Sequence, residues 1–282
     1  MQRVMIIGTG LIGASAGLAL RAAGFAGVVT GWDRNPSAAT EALRRGAVDT
    51  IAEDALAEAA VTDVIVLATP VLAILEWMLR LAPLLGENQL LTDVGSTKQA
   101  ICACAREQFN RTGRAAFLPG HPMAGKEISG AAAAEPDLFH GAVWLFTPLV
   151  QPESPLAAEW RRWVVNIGSR TLDLEPGRHD ELCAWASHLP QMLATALSAA
   201  LEEEFSASAA GLRAVGGRAL RDMTRLGASP YSMWRDIAQT NAQPIANTLR
   251  RLEQHLAKLR AKLAKPGLQD EFDAANRFRS SF

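Results

Sequence analysis

The sequence predicts an α/β fold in which a doubly wound parallel-sheet domain, residues 1–174, is followed by an all-α domain, residues 175–282. Short apolar runs alternate with helix-length segments in the first part, which is typical of a mostly parallel sheet. After Glu175-Pro176-Gly177 no convincing strand follows, and the periodicity becomes helical. A length of 282 residues also exceeds that of one average domain.

The predicted strands of the first domain are short and mostly apolar throughout, as expected when helices cover both faces of a sheet. They cover residues 3–7, 28–32, 46–51, 64–68, 90–93, 116–118, 142–147 and 169–174. The helices between them are predicted over residues 11–23, 36–45, 71–85, from after Lys98 to about residue 109, and 153–167.

The second domain is predicted to begin with a long helix over residues 178–205 that contains Pro190. A proline inside a helix kinks it and frees backbone groups, which makes this a reasonable place for a ligand; a bend in a core helix is the alternative. Further helices are predicted over residues 209–226, 232–242, 244–263 and 269–279, with a break at Pro266-Gly267.

One of these helices carries a narrow apolar seam with alternating spacings of four and three. Its residues are Ile245, Leu249, Leu252, Leu256, Leu259 and Leu263. We expect the seam to pack against a second copy of the chain, which gives a homodimer through the helical domain. Packing within the monomer is the alternative.

Composition argues against several classes of function. The net charge of −1 gives no electrostatic basis for binding nucleic acid or an acidic membrane. Three cysteines suggest no disulfide framework, and the spacing of Cys102 and Cys104 is not that of a zinc knuckle, so no metal site is predicted. Met1-Gln2-Arg3 runs directly into a strand, so no signal peptide is expected, and the location predicted is cytoplasmic.

A glycine motif follows the first strand and opens the first helix: Gly8, Gly10 and Gly13 form the pattern GxGxxG, and Asp33 ends the next strand. Together these features indicate a Rossmann-type dinucleotide site. Gly8 makes the tight turn, Gly10 admits the pyrophosphate and Gly13 allows close packing of helix and strand. A glycine-rich turn in a flavodoxin-like fold is the alternative.

Asp33 can accept hydrogen bonds from a ribose diol, which favours NAD, whereas the adjacent Arg34 could pair with the 2′-phosphate of NADP. NAD is the predicted cofactor, with NADP less favoured. The other residues expected to contact it are Leu11 and Ile12, at the helix N-terminus, and Thr69 and Pro70, where the 64–68 strand ends.

A second motif, Gly120-His-Pro-Met-Ala-Gly-Lys-Glu-Ile-Ser-Gly130, follows the predicted strand at residues 116–118. It therefore lies at a carboxyl strand end, where open α/β sheets bind their ligands. His121 is one of five histidines, and the glycines allow the chain to bend closely around a ligand. A surface turn with a chance histidine is the alternative.

These motifs, taken with others further along the chain, resemble the prephenate dehydrogenase family, including its arogenate-using relatives. The matching segments are Gly8–Gly13, Asp93-Val-Gly-Ser96-Thr-Lys98, Gly120–Gly125 with Glu127 and Gly130, His179-Asp180, Ser187-His-Leu-Pro190, Arg221-Asp-Met-Thr-Arg225 and Met233-Trp-Arg-Asp236. They run in the family's order over nearly the whole chain. The resemblance implies a dinucleotide-binding domain plus a helical dimerisation domain.

The resemblance also implies a reaction, the oxidative decarboxylation of prephenate to 4-hydroxyphenylpyruvate with hydride transfer to NAD. It makes His121 the base on the ring hydroxyl and lets Ser96 hold the imidazole and the nicotinamide end together. Arg225 becomes the clamp for a substrate carboxylate, gated or oriented by Glu127 and Asp222. Residues implied near the substrate are Ser187, Lys126, Trp234, His179 and Gln191.

Each of these residues also has a structural alternative. Arg225 could be a helix-surface cation, Trp234 a core residue, His179 a residue at a helix N-terminus, and His188 a satisfied core histidine. Gln191 departs from the family pattern, since many prephenate-using members have histidine there, so arogenate or dual specificity remains an alternative.

Two other functions also stay open. One is another β-hydroxyacid-type dehydrogenase or imine reductase. The other is a non-catalytic NAD-sensing dimer.

Overall fold

The computed structural model describes residues 1–109, 113–150, 152–205, 209–263 and 267–281. Within them a six-stranded sheet has the order β3-β2-β1-β4-β5-β6, and every neighbouring pair is parallel. The strands are β1 (Arg3–Ile7), β2 (Val28–Trp32), β3 (Thr50–Ile51), β4 (Val64–Leu67), β5 (Leu90–Asp93) and β6 (Ala116–Leu118). This confirms the predicted doubly wound sheet.

Helices cover both faces of this sheet, which explains why its central strands are apolar throughout. Along β1, Val4 and Ile6 pack into one buried cluster while Met5 and Ile7 pack into another. Successive side chains of a strand point to opposite faces, so both sets are buried. The helices are α1 (Leu11–Ala22), α2 (Pro36–Arg44), α3 (Ala55–Ala59), α4 (Val71–Leu81) and α5 (Gln99–Gln108).

The later strands form a second, smaller sheet that was not foreseen as separate. It contains β7 (Gly120–Pro122), β8 (Val143–Phe146) and β9 (Arg170–Asp173), with α6 (Pro155–Asn166) between the last two. β7 is antiparallel to β8. β7 begins at Gly120, a tightly packed position where an added Cβ would lie 2.7 Å from Nε1 of Trp144. His121 is the next residue of β7, so it lies on a strand and not in a surface turn.

From Pro176 onward the described residues form helices and turns. They are α7 (Pro176–Cys183), a π-helical turn (Ala184–His188), α8 (Leu189–Phe205), α9 (Ala209–Val215), α10 (Arg218–Thr224), a 3-10 turn (Arg225–Ala228), α11 (Tyr231–Thr240), α12 (Ala242–Lys262) and α13 (Gln269–Ser280). No helix in the described part of the chain is long and apolar enough to cross a membrane.

The helical part differs from its prediction at two places. The single helix expected over residues 178–205 is interrupted by the π-helical turn, which ends two residues before Pro190. The helix expected over residues 209–226 is divided in two, because Gly216 and Gly217 follow α9 and glycine disfavours a continuous helix. The break predicted at Pro266 lies outside the described residues.

Two carboxylates fix the helical part over the carboxyl edge of the six-stranded sheet. The Asp180 carboxylate accepts hydrogen bonds from the backbone N–H groups of Lys98, at 2.7 Å, and Gln99, at 2.9 Å, where α5 begins. The Asp236 carboxylate accepts one from the Leu72 N–H at the start of α4, at 3.2 Å. Negative charge is favourable at helix N-termini, so these contacts stabilise the arrangement.

Candidate active site

A cavity of about 850 Å³ lies between the carboxyl edge of the large sheet and the helical part. One end is lined by Gly10, Leu11, Ile12, Thr69 and Pro70. The other end is lined by Ser187, Gln191, Arg225, Trp234, Lys126 and Glu127, and His121 and Ser96 line the region between. The cavity therefore brings together most of the residues predicted from the sequence.

The glycines at the first end have the geometry expected of a dinucleotide loop. Gly8 has φ +98°, and an added Cβ would lie 2.6 Å from the Ala68 carbonyl oxygen. A Cβ added at Gly13 would lie 2.0 Å from the Gly8 carbonyl oxygen, whereas one at Gly10 would meet open space. The loop is thus closed at two points and open at the third, where a pyrophosphate would approach the start of α1.

Asp33 lies at the end of β2 beside this loop. Its carboxylate accepts hydrogen bonds from the N–H of Thr9, at 2.8 Å, and from the N–H of Asn35, at 2.9 Å. These bonds hold the carboxylate at the carboxyl edge of the sheet. Arg34 is exposed and makes no ion pair within the described residues. The fit of a dinucleotide therefore rests on the glycine loop, the start of α1 and Asp33.

His121 is held by a chain of buried polar groups. Its Nδ1 lies 2.9 Å from Nε2 of His179, and Nδ1 of His179 lies 2.8 Å from Oδ1 of Asp180. His179 and Asp180 are fully buried, whereas His121 is 8% exposed and lines the cavity. His179 therefore lies behind His121 and not in the cavity wall, which does not support the expected contact between His179 and substrate.

This chain determines the tautomers of both imidazoles. A carboxylate only accepts hydrogen bonds, so Nδ1 of His179 donates to Asp180 and its Nε2 is left as an acceptor. Nδ1 of His121 must then donate to that Nε2. The lone pair of a neutral His121 consequently resides on Nε2, the ring nitrogen that makes no hydrogen bond among the described residues. His121 is poised to accept a proton there.

Burial keeps the histidines of this region neutral. It lowers the pKa of His121 well below its usual value, and the charge of Lys98, with those of His179 and His188 whenever they are protonated, lowers it further. Burial also lowers the pKa of His179, against the opposing effect of the Asp180 hydrogen bond. For Asp180, burial raises the pKa, but hydrogen bonds from His179 and from the N–H groups of Gln99 and Lys98 prevail and lower it.

Two further buried groups adjoin the histidines. Lys98 Nζ and Asp93 Oδ2 form a fully buried ion pair at 2.6 Å. The thiol of Cys183 lies 3.6 Å from Nε2 of His179 and 3.8 Å from Nδ1 of His121. Burial raises the pKa of that thiol to about 12. The region behind His121 is therefore polar and closed to solvent, and its imidazole rings are neutral.

Charged side chains stand at the mouth of the other end. Arg225 forms an ion pair with Glu127. Lys126 pairs with Glu135 at 2.5 Å. Asp222 is exposed and makes no ion pair with Arg225 within the described residues. Of the two carboxylates expected to orient Arg225, the structure places Glu127 against it and Asp222 apart from it.

The π-helical turn directs its residues and the start of α8 into the cavity. Gln191 donates from Nε2 to the Leu226 carbonyl, at 2.7 Å, and to the Thr195 hydroxyl, at 3.2 Å. The carbonyl can only accept, so the amide orientation is determined and Oε1 is left as a free acceptor. His188 is buried and receives a hydrogen bond from Nδ2 of Asn241 at Nδ1, at 3.0 Å, in agreement with a satisfied core histidine.

Trp234 stands edge-on to His188, with ring centroids 5.8 Å apart. It is partly buried and lines the cavity, but its Nε1 is buried without a hydrogen-bond partner among the described residues. Ser96 lines the cavity without a hydrogen bond to His121, whose ring partner is His179 instead. Sequence reasoning therefore missed the partner of the imidazole.

One sequence signal could have revealed part of this arrangement. His179 and Cys183 are four residues apart on α7 and so share one helix face, next to Asp180. Nothing in the spacing relates them to His121, which is 58 residues away from His179. That contact depends on how α7 packs over the second sheet.

The fold and the cavity together define a dinucleotide-dependent oxidoreductase with a neutral imidazole beside the cofactor loop. The family model described as the nucleotide-binding domain of prephenate dehydrogenase matches residues 16–172, and the model for its dimerization domain matches residues 175–275. The chain belongs to the prephenate dehydrogenase family, which confirms the resemblance found in the sequence.

Individual relatives agree with this assignment. A prephenate dehydrogenase of Bacillus subtilis (strain 168) is 30% identical over 278 residues, which cover 98% of this chain and 72% of that protein. The crystal structure of prephenate dehydrogenase from A. aeolicus in complex with hydroxyphenyl propionate and NAD+ is 28% identical, with a TM-score of 0.90, over 100% of this chain and 98% of the other. An arogenate dehydrogenase structure from Synechocystis is 29% identical, with a TM-score of 0.80, over 99% of both chains.

Proposed function

We propose that the protein is an NAD-dependent dehydrogenase that converts prephenate to 4-hydroxyphenylpyruvate and carbon dioxide. The observation that carries the proposal is the hydrogen bond between Nδ1 of His121 and His179, which leaves Nε2 free on a residue that lines the same cavity as the dinucleotide loop. A base in this position suits an alcohol whose carbon gives up a hydride. The domains proposed are residues 1–174 for the dinucleotide and 175–282 for substrate and dimerisation.

The role of His121 follows from the chemistry of the substrate. Nε2 accepts the proton of the ring hydroxyl as the C–H bond of the same carbon breaks, and NAD supplies the hydride acceptor. The carbon–carboxylate bond then breaks, its electron pair enters the ring, and carbon dioxide leaves. His121 returns the proton to the ring oxygen, so the aromatic product carries a phenol and the imidazole is neutral again.

The other residues position the substrate and the base. His179 and Asp180 hold the lone pair of His121 towards the cavity. Arg225 binds a substrate carboxylate through its planar guanidinium, a geometry that matches this group. Glu127, which pairs with Arg225 in this structure, is displaced by the entering anion. Ser96, Ser187, Lys126 and Trp234 complete the cavity walls around the substrate and the nicotinamide.

Arogenate is proposed as a second, poorer substrate. It differs from prephenate in carrying an ammonium in place of a ketone. The Gln191 amide has its donor committed to Leu226 and offers only Oε1, and an acceptor can bind an ammonium. Prephenate stays the preferred substrate in our proposal because Arg225 and the remaining cavity residues match the family's segments.

A homodimer through the helical part is proposed from the seam on α12. Ile245 at the start of the seam is buried within the chain, but Leu256 and Leu263 are 53% and 70% exposed. An apolar stripe left open in the monomer supports a second copy as its cover. The match of residues 175–275 to the family's dimerization domain supports the same assembly. The proposed location is the cytoplasm, supported by three free cysteines.

A single assay separates the candidate functions. Purified protein is mixed with NAD and one of three substrates, prephenate, arogenate or a β-hydroxyacid, and the absorbance of reduced nicotinamide is followed. Our proposal expects turnover with prephenate and arogenate, faster with prephenate. Turnover only with a β-hydroxyacid contradicts the substrate, and cofactor binding without any turnover supports a sensor instead of an enzyme.

A further inference from the structure

Three potential metal ligands meet behind the cavity. We name Nδ1 of His121, Nε2 of His179 and Sγ of Cys183 the His–His–Cys cluster. All three residues are buried, and their ligand atoms lie within 4.8 Å of one another. His179 and Cys183 come from one face of α7, and His121 comes from β7. The cluster therefore joins the helical part to the smaller sheet.

The spacing of these atoms is close to that around a tetrahedral zinc ion. With Zn–N of about 2.0–2.1 Å and Zn–S of about 2.3 Å, two nitrogens lie about 3.3 Å apart, and nitrogen and sulfur about 3.6 Å apart. The sulfur of Cys183 lies 3.6 Å from Nε2 of His179 and 3.8 Å from Nδ1 of His121. It also lies 3.9 Å from Nδ1 of His179, so the thiol stands beside that ring and must move in front of Nε2 before one ion can contact both. The two nitrogens are 2.9 Å apart, so they must separate slightly as the ion replaces the proton between them.

The surroundings also suit a cation. Nδ1 of His179 donates to Asp180, which is the usual second partner of a metal-bound histidine. Asp93 and Lys98 form a neutral ion pair near the cluster, and Asp180 adds one negative charge beside it.

We propose that the His–His–Cys cluster binds a divalent ion of zinc-like chemistry and that binding reversibly inhibits the enzyme. The inhibition rests on the proposed function, in which Nε2 of His121 is the base. On binding, the thiol of Cys183 gives its proton to solvent, and the proton on Nδ1 of His121 moves to Nε2. A neutral His121 protonated at Nε2 has no lone pair for the substrate hydroxyl.

Access to the cluster passes by the catalytic ring. Of the three residues only His121 lines the cavity, and His179 and Cys183 lie behind it. The ion enters when the His121 ring moves, so inhibition develops with time.

The experiment uses the metals alone as probes, with binding and activity measured separately. Cadmium chloride is titrated into the wild-type protein, and the ultraviolet thiolate-to-cadmium charge-transfer band is followed. The variants are Cys183→Ala and Cys183→Ser, and the control is Cys104→Ala, which removes a partly exposed thiol on α5. Zinc chloride inhibition is then measured for each protein, with reversal by EDTA.

We expect the band at one cadmium per chain in the wild type and in Cys104→Ala, and no band in either Cys183 variant. The zinc sensitivity of each Cys183 variant, measured against its own metal-free turnover, falls by at least about tenfold, since even outer-shell partners typically change metal affinity 10–100-fold. The proposal is overturned if the wild type gives no charge-transfer band. It is also overturned if the Cys183 variants are as sensitive to zinc as the wild type. If prephenate and arogenate both fail as substrates, the cadmium titration still tests the metal site.

Discussion

Asp180 accepts a hydrogen bond from Nδ1 of His179 at 2.8 Å, and through this bond it determines which nitrogen of His121 carries the lone pair. The same carboxylate caps the start of α5 through the N–H groups of Lys98 and Gln99. One buried charge thus joins the helical part to the large sheet and sets the state of the imidazole at the cavity.

The pH dependence of the wild-type enzyme is the first prediction. His121 must be neutral to accept a proton, and burial lowers its pKa well below its usual value. We therefore expect kcat/KM to stay level as pH falls through ~6.5, the ordinary histidine pKa, and to decline only at lower pH. Initial rates with prephenate across the pH range measure this. An acid limb centred at or above that value contradicts the assignment.

Stability must be followed in the same experiment. The pKa of His188 is lowered to about 4 by burial, so the folded chain stays unprotonated there while the unfolded chain binds a proton below ~6.5. Folding stability is therefore complete above that pH and is lost as pH falls towards the folded pKa, by about 1.4 kcal/mol per pH unit for each such group. A melting temperature at each pH separates unfolding from protonation of the base.

Replacement of the base is the second prediction. His121→Asn should lower kcat by roughly 10²–10⁴, the usual contribution of a general base, with a much smaller change in KM. Steady-state kinetics measure both constants. His140→Asn, at an exposed histidine, is the matched control and should behave like the wild type. A His121 variant with near-normal turnover would show that another group takes the proton.

The third prediction concerns the cation at the cavity mouth. Arg225→Ala removes the proposed partner of a substrate carboxylate, so KM for prephenate should rise. Because the Arg225 side chain is 60% exposed, the loss should be nearer the ~1 kcal/mol of an exposed ion pair than the ~2–5 kcal/mol of a buried one. NAD affinity should stay unchanged, because the dinucleotide loop is at the other end of the cavity. Arg221→Ala, an exposed arginine one helical turn earlier on α10, is the control. An equal loss of NAD affinity would show that Arg225 acts on cofactor binding and not on the substrate carboxylate alone.

Cofactor preference is the fourth prediction. The Asp33 carboxylate is held beside the loop by the N–H groups of Thr9 and Asn35 and should repel a 2′-phosphate, so NAD should be preferred. Arg34→Ala should weaken only the residual activity with NADP. The comparison needs kcat/KM for both cofactors in both proteins. A wild type that prefers NADP would mean that Arg34 dominates over Asp33.

The fifth prediction concerns the substrate. The wild type should use both prephenate and arogenate, with prephenate somewhat ahead. Gln191→His should shift the ratio of kcat/KM towards prephenate, because the change removes the Oε1 acceptor that can bind an ammonium, and an imidazole N–H can donate to the keto acid side chain. The shift should be ~1–3 kcal/mol, the scale of a hydrogen bond to a charged group. A wild type that uses arogenate alone would leave the reaction type intact but change the substrate.

The large sheet could be predicted well from the sequence because the residues that define it are close together in the chain. The central strands are apolar on both faces, and the glycine loop needs Gly8 and Gly13 at close backbone contacts that no larger residue can make. Such constraints appear directly in residue types and spacing. The same holds for the family segments, which predicted most of the cavity lining.

The parts that escaped prediction depend on contacts between distant segments. β7 has only three residues, too few for a periodicity, and its pairing with β8 is decided by packing. The partnership of His121 with His179, and the nearness of Cys183, arise only when α7 is placed over the second sheet. Gln191 lines the cavity, but its bond to Leu226 could not be inferred from spacing.

The π-helical turn at Ala184–His188 sets the rotation of α8 about the helix axis relative to α7. Before it, α7 turns His179 towards the base; after it, α8 turns Gln191 into the cavity. A π turn holds one residue more than an α-helical turn, and each residue of an α-helix advances by about 100°. Deletion of a single residue from this turn would leave both helices intact while rotating one active-site face out of register with the other.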